Sequence, residues 1–217
     1  MSATLARDFT VIEAEQRSEA WFKARLGRLT GSRAADMLAT VKTGEAAARR
    51  DLRIQLVVER LTATRQDDGF VNAAMQRGID CEPLAYAAYQ AVTGEIAERT
   101  GFLSHNTRMV GCSLDGHVGD FDGILEVKCP NSATHLTYLR SQKVPNAYLP
   151  QITHNLWVTG AAWCDFLSFD DRFGPALAIF LVRVARSEVD IDAYEQAALA
   201  FLEEVAAEVI AVRELYA

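Results

Sequence analysis

The chain has 217 residues, of which 50% are hydrophobic and 24% charged, with a formal net charge of −7. That length supports one substantial core rather than two full domains, and the composition is ordinary for a folded protein and argues against disorder. No run approaches the roughly 20 apolar residues of a membrane span, and the N-terminus lacks a signal-peptide pattern, so a single cytoplasmic domain over residues 1–217 is expected. The four cysteines (Cys81, Cys112, Cys129 and Cys164) have no metal-ligand spacing and read as small buried hydrophobes. Charge is uneven along the chain. Residues 17–65 hold 11 Lys/Arg against 5 Asp/Glu, whereas residues 185–217 hold 2 against 8. A basic front third can bind an anionic ligand even in an acidic protein; the other reading is two differently solvated helical faces.

In chain order, Ser18 predicts an N-cap for a short helix, EAWFKARL, closed by Gly27. A second helix is expected to open at Ser32 (SRAADMLA), followed by long helices over 45–62 and 72–91, the latter ending at Gly94. In the second long helix Leu84, Tyr86, Ala87 and Tyr89 are the expected core positions. From 109 the pattern turns strand-like: MVGCSLDG and GILEVKC, joined by the turn-rich GHVGDFDG. Helices over 133–141 and 148–158 follow, then strands WCDFLSFD and ALAIFLVRVA. Asp192 and Glu195 have the spacing of a capping box for a C-terminal helix. The class is α/β or α+β, with a central mixed sheet flanked by helices.

Within GILEVKCP, alternation puts Glu126 and Lys128 on one face and Leu125 and Val127 on the other. By itself that is compatible with a surface ion pair. Asp115 lies eleven residues earlier, at the end of the preceding strand. If those strands pair, two carboxylates converge, and they are hard to desolvate without a cation between them. Mg²⁺ suits one or two carboxylates, and the Val127 carbonyl adds an oxygen; Mn²⁺ takes the same donors. Lys128 could then orient or deprotonate an attacking water, or neutralise charge on a phosphorane-like transition state. Helical Glu82 is either a third acidic ligand or a solvent-facing glutamate, and Asp122 is the second choice for a metal carboxylate after Asp115. Trp21, Trp157 and Trp163 read as packing residues, and His117, His135 and His154 as locally partnered side chains.

The blocks WFKARLGRLTGS, RGIDCEPLAYAAY, GCSLDG, GILEVKCP and YLPQITHNLWVTGAAWCDF occur in an order that resembles the phage lambda exonuclease and YqaJ-type viral recombinase family, within the PD-(D/E)xK nuclease superfamily. The resemblance covers about residues 15–170. It implies a restriction-endonuclease-like core and a Mg²⁺-dependent 5′→3′ exonuclease acting on double-stranded DNA, with two ions per site. It implies metal ligation by Asp115, Glu126 and the Val127 carbonyl, with Glu82 near the second ion, and Lys128 as the catalytic lysine. Arg25, Ser32 and Ser113 would grip a 5′-phosphate, with Arg28 and Arg33 flanking the same turn, and Gln151 would close the active site. A ring-shaped homotrimer and a single-strand annealing protein as partner are implied as well. Two departures are visible: the Asp115–Glu126 spacing is one residue longer, and His105–Asn106 stands where the lambda-type enzyme has a further acidic residue. The rival readings are an endonuclease of the same superfamily, a catalytically inactive DNA-binding relative, and a scaffold that does not bind metal.

Overall fold

The computed structural model describes residues 7–66 and 73–216. The first elements are β1 (Phe9–Ile12), α1 (Glu19–Arg25), β2 (Leu29–Thr30), a 3₁₀ turn (Gly31–Arg33), α2 (Ala34–Met37), α3 (Ala47–Thr62) and α4 (Ala73–Thr93). Then come β3 (Ala97–Glu98), β4 (Phe102–His105), β5 (Val110–Ser113), β6 (Gly116–Val118), β7 (Gly123–Lys128), α5 (Ser132–Ser141), α6 (Leu149–Thr159), β8 (Trp163–Phe169), β9 (Ile179–Ala185) and α7 (Ile191–Glu214). The strands form two mixed sheets, in the orders β3-β6-β7-β8-β9 and β1-β4-β5-β2. Pairing is parallel at β7–β8 and β2–β5 and antiparallel at the other neighbours.

Ser18 caps α1 as expected, its hydroxyl accepting from the Trp21 amide at 3.2 Å. The predicted Asn72 start of α4 lies outside the described residues. Ser32 does not cap a helix; it sits inside the 3₁₀ turn that leads into α2. The C-terminal helix is capped by Asp190, whose carboxylate accepts from the Ala193 amide at 2.9 Å, so Asp192 falls in the first turn instead. Residue 190 still has non-helical backbone angles and can turn its side chain onto the free amides; residue 192 is already helical.

The predicted strand over 109–116 is two strands in two sheets. β5 pairs with β4 and β2, and after Leu114 and Asp115 the chain crosses to β6, which pairs with β7. Alternation alone cannot detect this crossing, because β5 and β6 both have apolar partners. The short strands β1 to β4 are likewise held by tertiary pairing rather than by pattern.

The five-stranded sheet has two apolar faces. Ile124, Cys164 and Phe166 join the larger core beneath α3, α6 and α7. Leu125, Val127 and Leu167 pack with Cys81, Ala85 and Tyr89 of α4. Tyr86 and Tyr89 are inside as expected, but Leu84 and Ala87 are exposed, because the sheet takes the Cys81–Ala85–Tyr89 side of the helix. Three cysteines are buried and Cys129 is half-buried.

The uneven charge resolves into contacts between α3 and α7. Arg49 holds Glu204 through two 2.8 Å hydrogen bonds, and Arg53 pairs with Glu208. Part of the basic front third is therefore neutralised by the acidic tail helix, and neither of the two sequence readings described that arrangement. Other arginines of the front third, near α1, gather at the site.

Candidate active site

β6 ends its pairing at Gly116↔Leu125, so the last three residues of β7 extend past it. Asp115, immediately before β6, fills that edge: its Oδ2 accepts from the Val127 amide at 2.7 Å. In a strand the N–H and C=O of one residue leave on the same edge, so the Val127 carbonyl faces the Asp115 side too. Glu126 shares a face with Ile124 and is 1% exposed. Its Oε1 accepts from the Lys128 ammonium, and its Oε2 lies 3.4 Å from the Asn155 amide nitrogen of α6. The sequence expectation that Asp115, Glu126, Val127 and Lys128 meet at one strand end is met, although Asp115 arrives through the crossover rather than through a paired strand.

The electrostatics are those of crowded acids held by an internal cation. Burial raises the pKa of Glu126, Lys128 pulls it back, and Asp115 raises it further. For Lys128, burial works against the ammonium, but Glu126 and then Asp115 outweigh it and raise its pKa. Glu82 is raised by burial and next by Asp115, and lowered by Arg99, Arg17 and Lys128. Asp115 is thus the group that Glu82, Glu126 and Lys128 all feel.

Glu82 reaches this cluster from α4, where the following Pro83 cannot donate to the Ile79 carbonyl. Its carboxylate faces Arg99 at 3.6 Å. Among the described residues no three His, Cys, Asp or Glu side chains gather into a metal cage. The donors are two carboxylates and a carbonyl, all oxygen, at a buried site whose acids repel each other. That chemistry fits a hard divalent cation that keeps some of its waters, as Mg²⁺ does. Asp122 lies in the turn between β6 and β7, where its amide bonds to the Val118 carbonyl.

On the other side of Ser113 is a cavity of about 110 Å³ lined by Arg25, Arg28, Ser32, Arg33, Glu59 and Arg65 among others. Arg25 donates to Ser113 Oγ at 3.1 Å and reaches Thr30 and Ser32 at 3.5 Å. Those hydrogen-bond partners are hydroxyls rather than carboxylates. Burial lowers its pKa to about 10, so the guanidinium stays charged at neutral pH in a site that would welcome an anion. Arg28 borders the cavity, but its guanidinium is turned onto the Arg108 and Val110 carbonyls at 3.1 and 3.5 Å, so it acts through the turn. Trp21 does more than pack. Its indole N–H donates to Ser113 Oγ at 2.9 Å, and its ring lies 4.1 Å from the Arg25 guanidinium.

Two residues of α6 lie beside the Gly31 turn, and one of them reaches the carboxylates. Gln151, in the first turn of α6, lies beside Gly31. Asn155, one turn further on, was not singled out from sequence, although its i+4 spacing from Gln151 places both on one helix face. It is 1% exposed and lies between Glu126 and Gly31: a Cβ on Gly31 would come within 2.3 Å of its Oδ1. His135 and His154 are buried with local partners, as expected. His154 is held between the Tyr194 hydroxyl at 2.7 Å and the Gly111 carbonyl at 3.0 Å.

A mixed α/β fold with paired carboxylates and a lysine at one strand end, beside an arginine cavity, defines the class to which the comparisons also lead. The model of the YqaJ-like viral recombinase domain matches residues 20–162, and the chain belongs to that family. Its structure is similar to that of an alkaline exonuclease from Laribacter hongkongensis (LHK-Exo): 39% identity, TM-score 0.81, covering 91% of this chain and 97% of that one. The same figures hold for LHK-Exo in complex with dAMP. A phage-related exonuclease from Haemophilus somnus 129PT matches in fold, with 15% identity, TM-score 0.67 and coverage of 87% and 96%. No curated protein matches the chain. Among the described residues, no helix is long and apolar enough to cross a membrane.

Proposed function

We propose that the chain is a Mg²⁺-dependent deoxyribonuclease that digests linear double-stranded DNA from its 5′ ends and leaves 3′ single-stranded overhangs. The observation that carries this is the meeting of Asp115, Glu126 and Lys128 at the end of β7, next to a buried arginine with hydroxyl partners. The relatives named as exonucleases, one of them in complex with dAMP, support the nuclease reading and a nucleotide ligand.

A divalent cation held by Asp115, Glu126 and the Val127 carbonyl would polarise the phosphodiester and acidify a water, with Glu82 placed for a second ion; Mn²⁺ would serve in the same way. With a cation on Asp115 and Glu126, the two carboxylates that raise the Lys128 pKa would no longer favour its ammonium, which would first release a proton to solvent; the neutral Nζ could then take a proton from the attacking water. Arg25, Ser32 and Ser113 hold the 5′-phosphate, and each cut delivers a new one to the same cavity. Gln151 closes the site beside Gly31. The same reading includes a ring-shaped homotrimer around the DNA, a single-strand annealing protein as partner, and work in the bacterial cytoplasm.

The test is Mg²⁺-dependent digestion of linear duplexes with and without a 5′-phosphate, beside a covalently closed circle, for wild type and Glu126→Ala. Loss of the phosphorylated linear strand alone, abolished by the substitution, is the expected result. Cutting of the circle would replace the exonuclease with an endonuclease, and digestion unaffected by Glu126→Ala would remove the proposed site.

A further inference from the structure

Arg25, which lines the smaller cavity, holds Ser113, and two residues further on Asp115 lines a larger cleft of about 550 Å³. Its walls carry Asp115 and Glu82 and also two arginines, Arg17 and Arg99, which no step above uses. Arg99 is 61% exposed, sits 4.7 Å over the Tyr86 ring, and faces Glu82 at 3.6 Å, too far for a good hydrogen bond. Arg17 lines the same cleft at φ 70°, a left-handed backbone that costs an arginine about 1–2 kcal/mol and a glycine almost nothing. Both arginines act on the Glu82 carboxylate.

The cleft also holds Glu13 and Glu15, so its own balance is four carboxylates against two guanidinium groups. That balance does not attract a phosphate. It becomes even when a divalent cation neutralises Asp115 and Glu82, and then two arginines face the space next to the carboxylates. We infer that Arg99 and Arg17 form a second phosphate site, closed by the Arg99–Glu82 pair until a cation takes Glu82 and then open to a backbone phosphate of the DNA. This rests on the nuclease reading. It adds a binding site and an order of events: cation first, then the second phosphate contact.

The experiment is binding without turnover. Duplex DNA affinity is measured by fluorescence anisotropy with Ca²⁺ in place of Mg²⁺, across a salt series, and Ca²⁺ binding alone is measured by calorimetry. The proteins are wild type, Arg99→Gln, Arg17→Gly and, as control, Arg213→Gln on α7. Arg99→Gln is expected to bind Ca²⁺ more tightly, because a competing cation is gone. It is expected to bind DNA about tenfold more weakly, with the slope of log K against log salt smaller by about 0.9 for the lost contact. Arg17→Gly suits the left-handed backbone, so it should melt no lower than wild type and still lose DNA affinity and slope. A structural role for Arg17 alone would change melting and leave DNA binding intact. Unchanged DNA affinity and slope in both variants would overturn the second site and leave the nuclease reading standing. Failure of the wild type to bind DNA or Ca²⁺ would overturn the nuclease reading itself.

Discussion

Replacing Lys128 with methionine keeps the aliphatic stem and removes the ammonium that sits on Glu126. The carboxylate left behind is 1% exposed, next to Asp115, with Asn155 as its remaining polar neighbour at 3.4 Å. A buried charge stripped of its partner costs about 3–5 kcal/mol. Glu126 has a cheaper escape, which is to take a proton. In wild type, burial has already raised its pKa from 4.5 to about 7, so below pH 7 both folded proteins carry the protonated acid and differ by a constant amount. Without the ammonium the folded-state pKa rises further, and a pKa raised above the unfolded value gives stability that is complete below pH 4.5 and is lost as pH rises through the folded value. The variant should therefore lose stability relative to wild type above pH 7, by about 1.4 kcal/mol per pH unit until its own raised pKa is reached. Urea unfolding of both proteins in EDTA at pH 6, 7, 8 and 9 measures this. A difference that stays flat to pH 9, or that shrinks above pH 7, would refute the buried pair.

Arg25→Lys keeps the charge and loses the fork that spans Ser113, Thr30 and Ser32. Initial rates on 5′-phosphorylated against 5′-hydroxyl duplexes should converge by at least about tenfold, since a lysine cannot hold a phosphate bidentately; an unchanged ratio would take Arg25 out of the phosphate site. Gly31→Ala would put its Cβ 2.3 Å from Asn155 Oδ1, so either the turn or Asn155 must move. We expect a cost of about 1–3 kcal/mol in chemical unfolding and a fall in kcat from the displaced Glu126 neighbour; wild-type stability would show that the turn is slack. His154 is buried, and burial lowers its pKa from 6.5 to about 4. Because the folded value is depressed, its contribution is whole above pH 6.5 and declines as pH falls towards 4, by about 3 kcal/mol in all. The difference in unfolding free energy between wild type and His154→Gln across that range should carry this slope, and a flat difference would contradict it.

The local order of the chain was written in its own residues. Ser18 as a cap, the alternation in GILEVKC and the apolar runs of β8 and β9 are short-range signals, and each produced the element expected of it. So was the Glu126–Lys128 pair, because residue type and spacing within one strand fix which side chains share a face. Other features depended on contacts between distant segments. The break at Leu114–Asp115 that sends β5 and β6 into different sheets is decided by which edges are left to pair. The partnership of Arg49 and Arg53 with α7 needs two helices about 150 residues apart in sequence to meet, which no local pattern states. Asn155 bridges Glu126 and the Gly31 turn only because α6 is laid across both. Sequence determined what each segment would be and which chemistry it carried. Tertiary structure decided which charges neutralise one another and which stay turned toward the site, because pairing and burial are properties of the assembled chain.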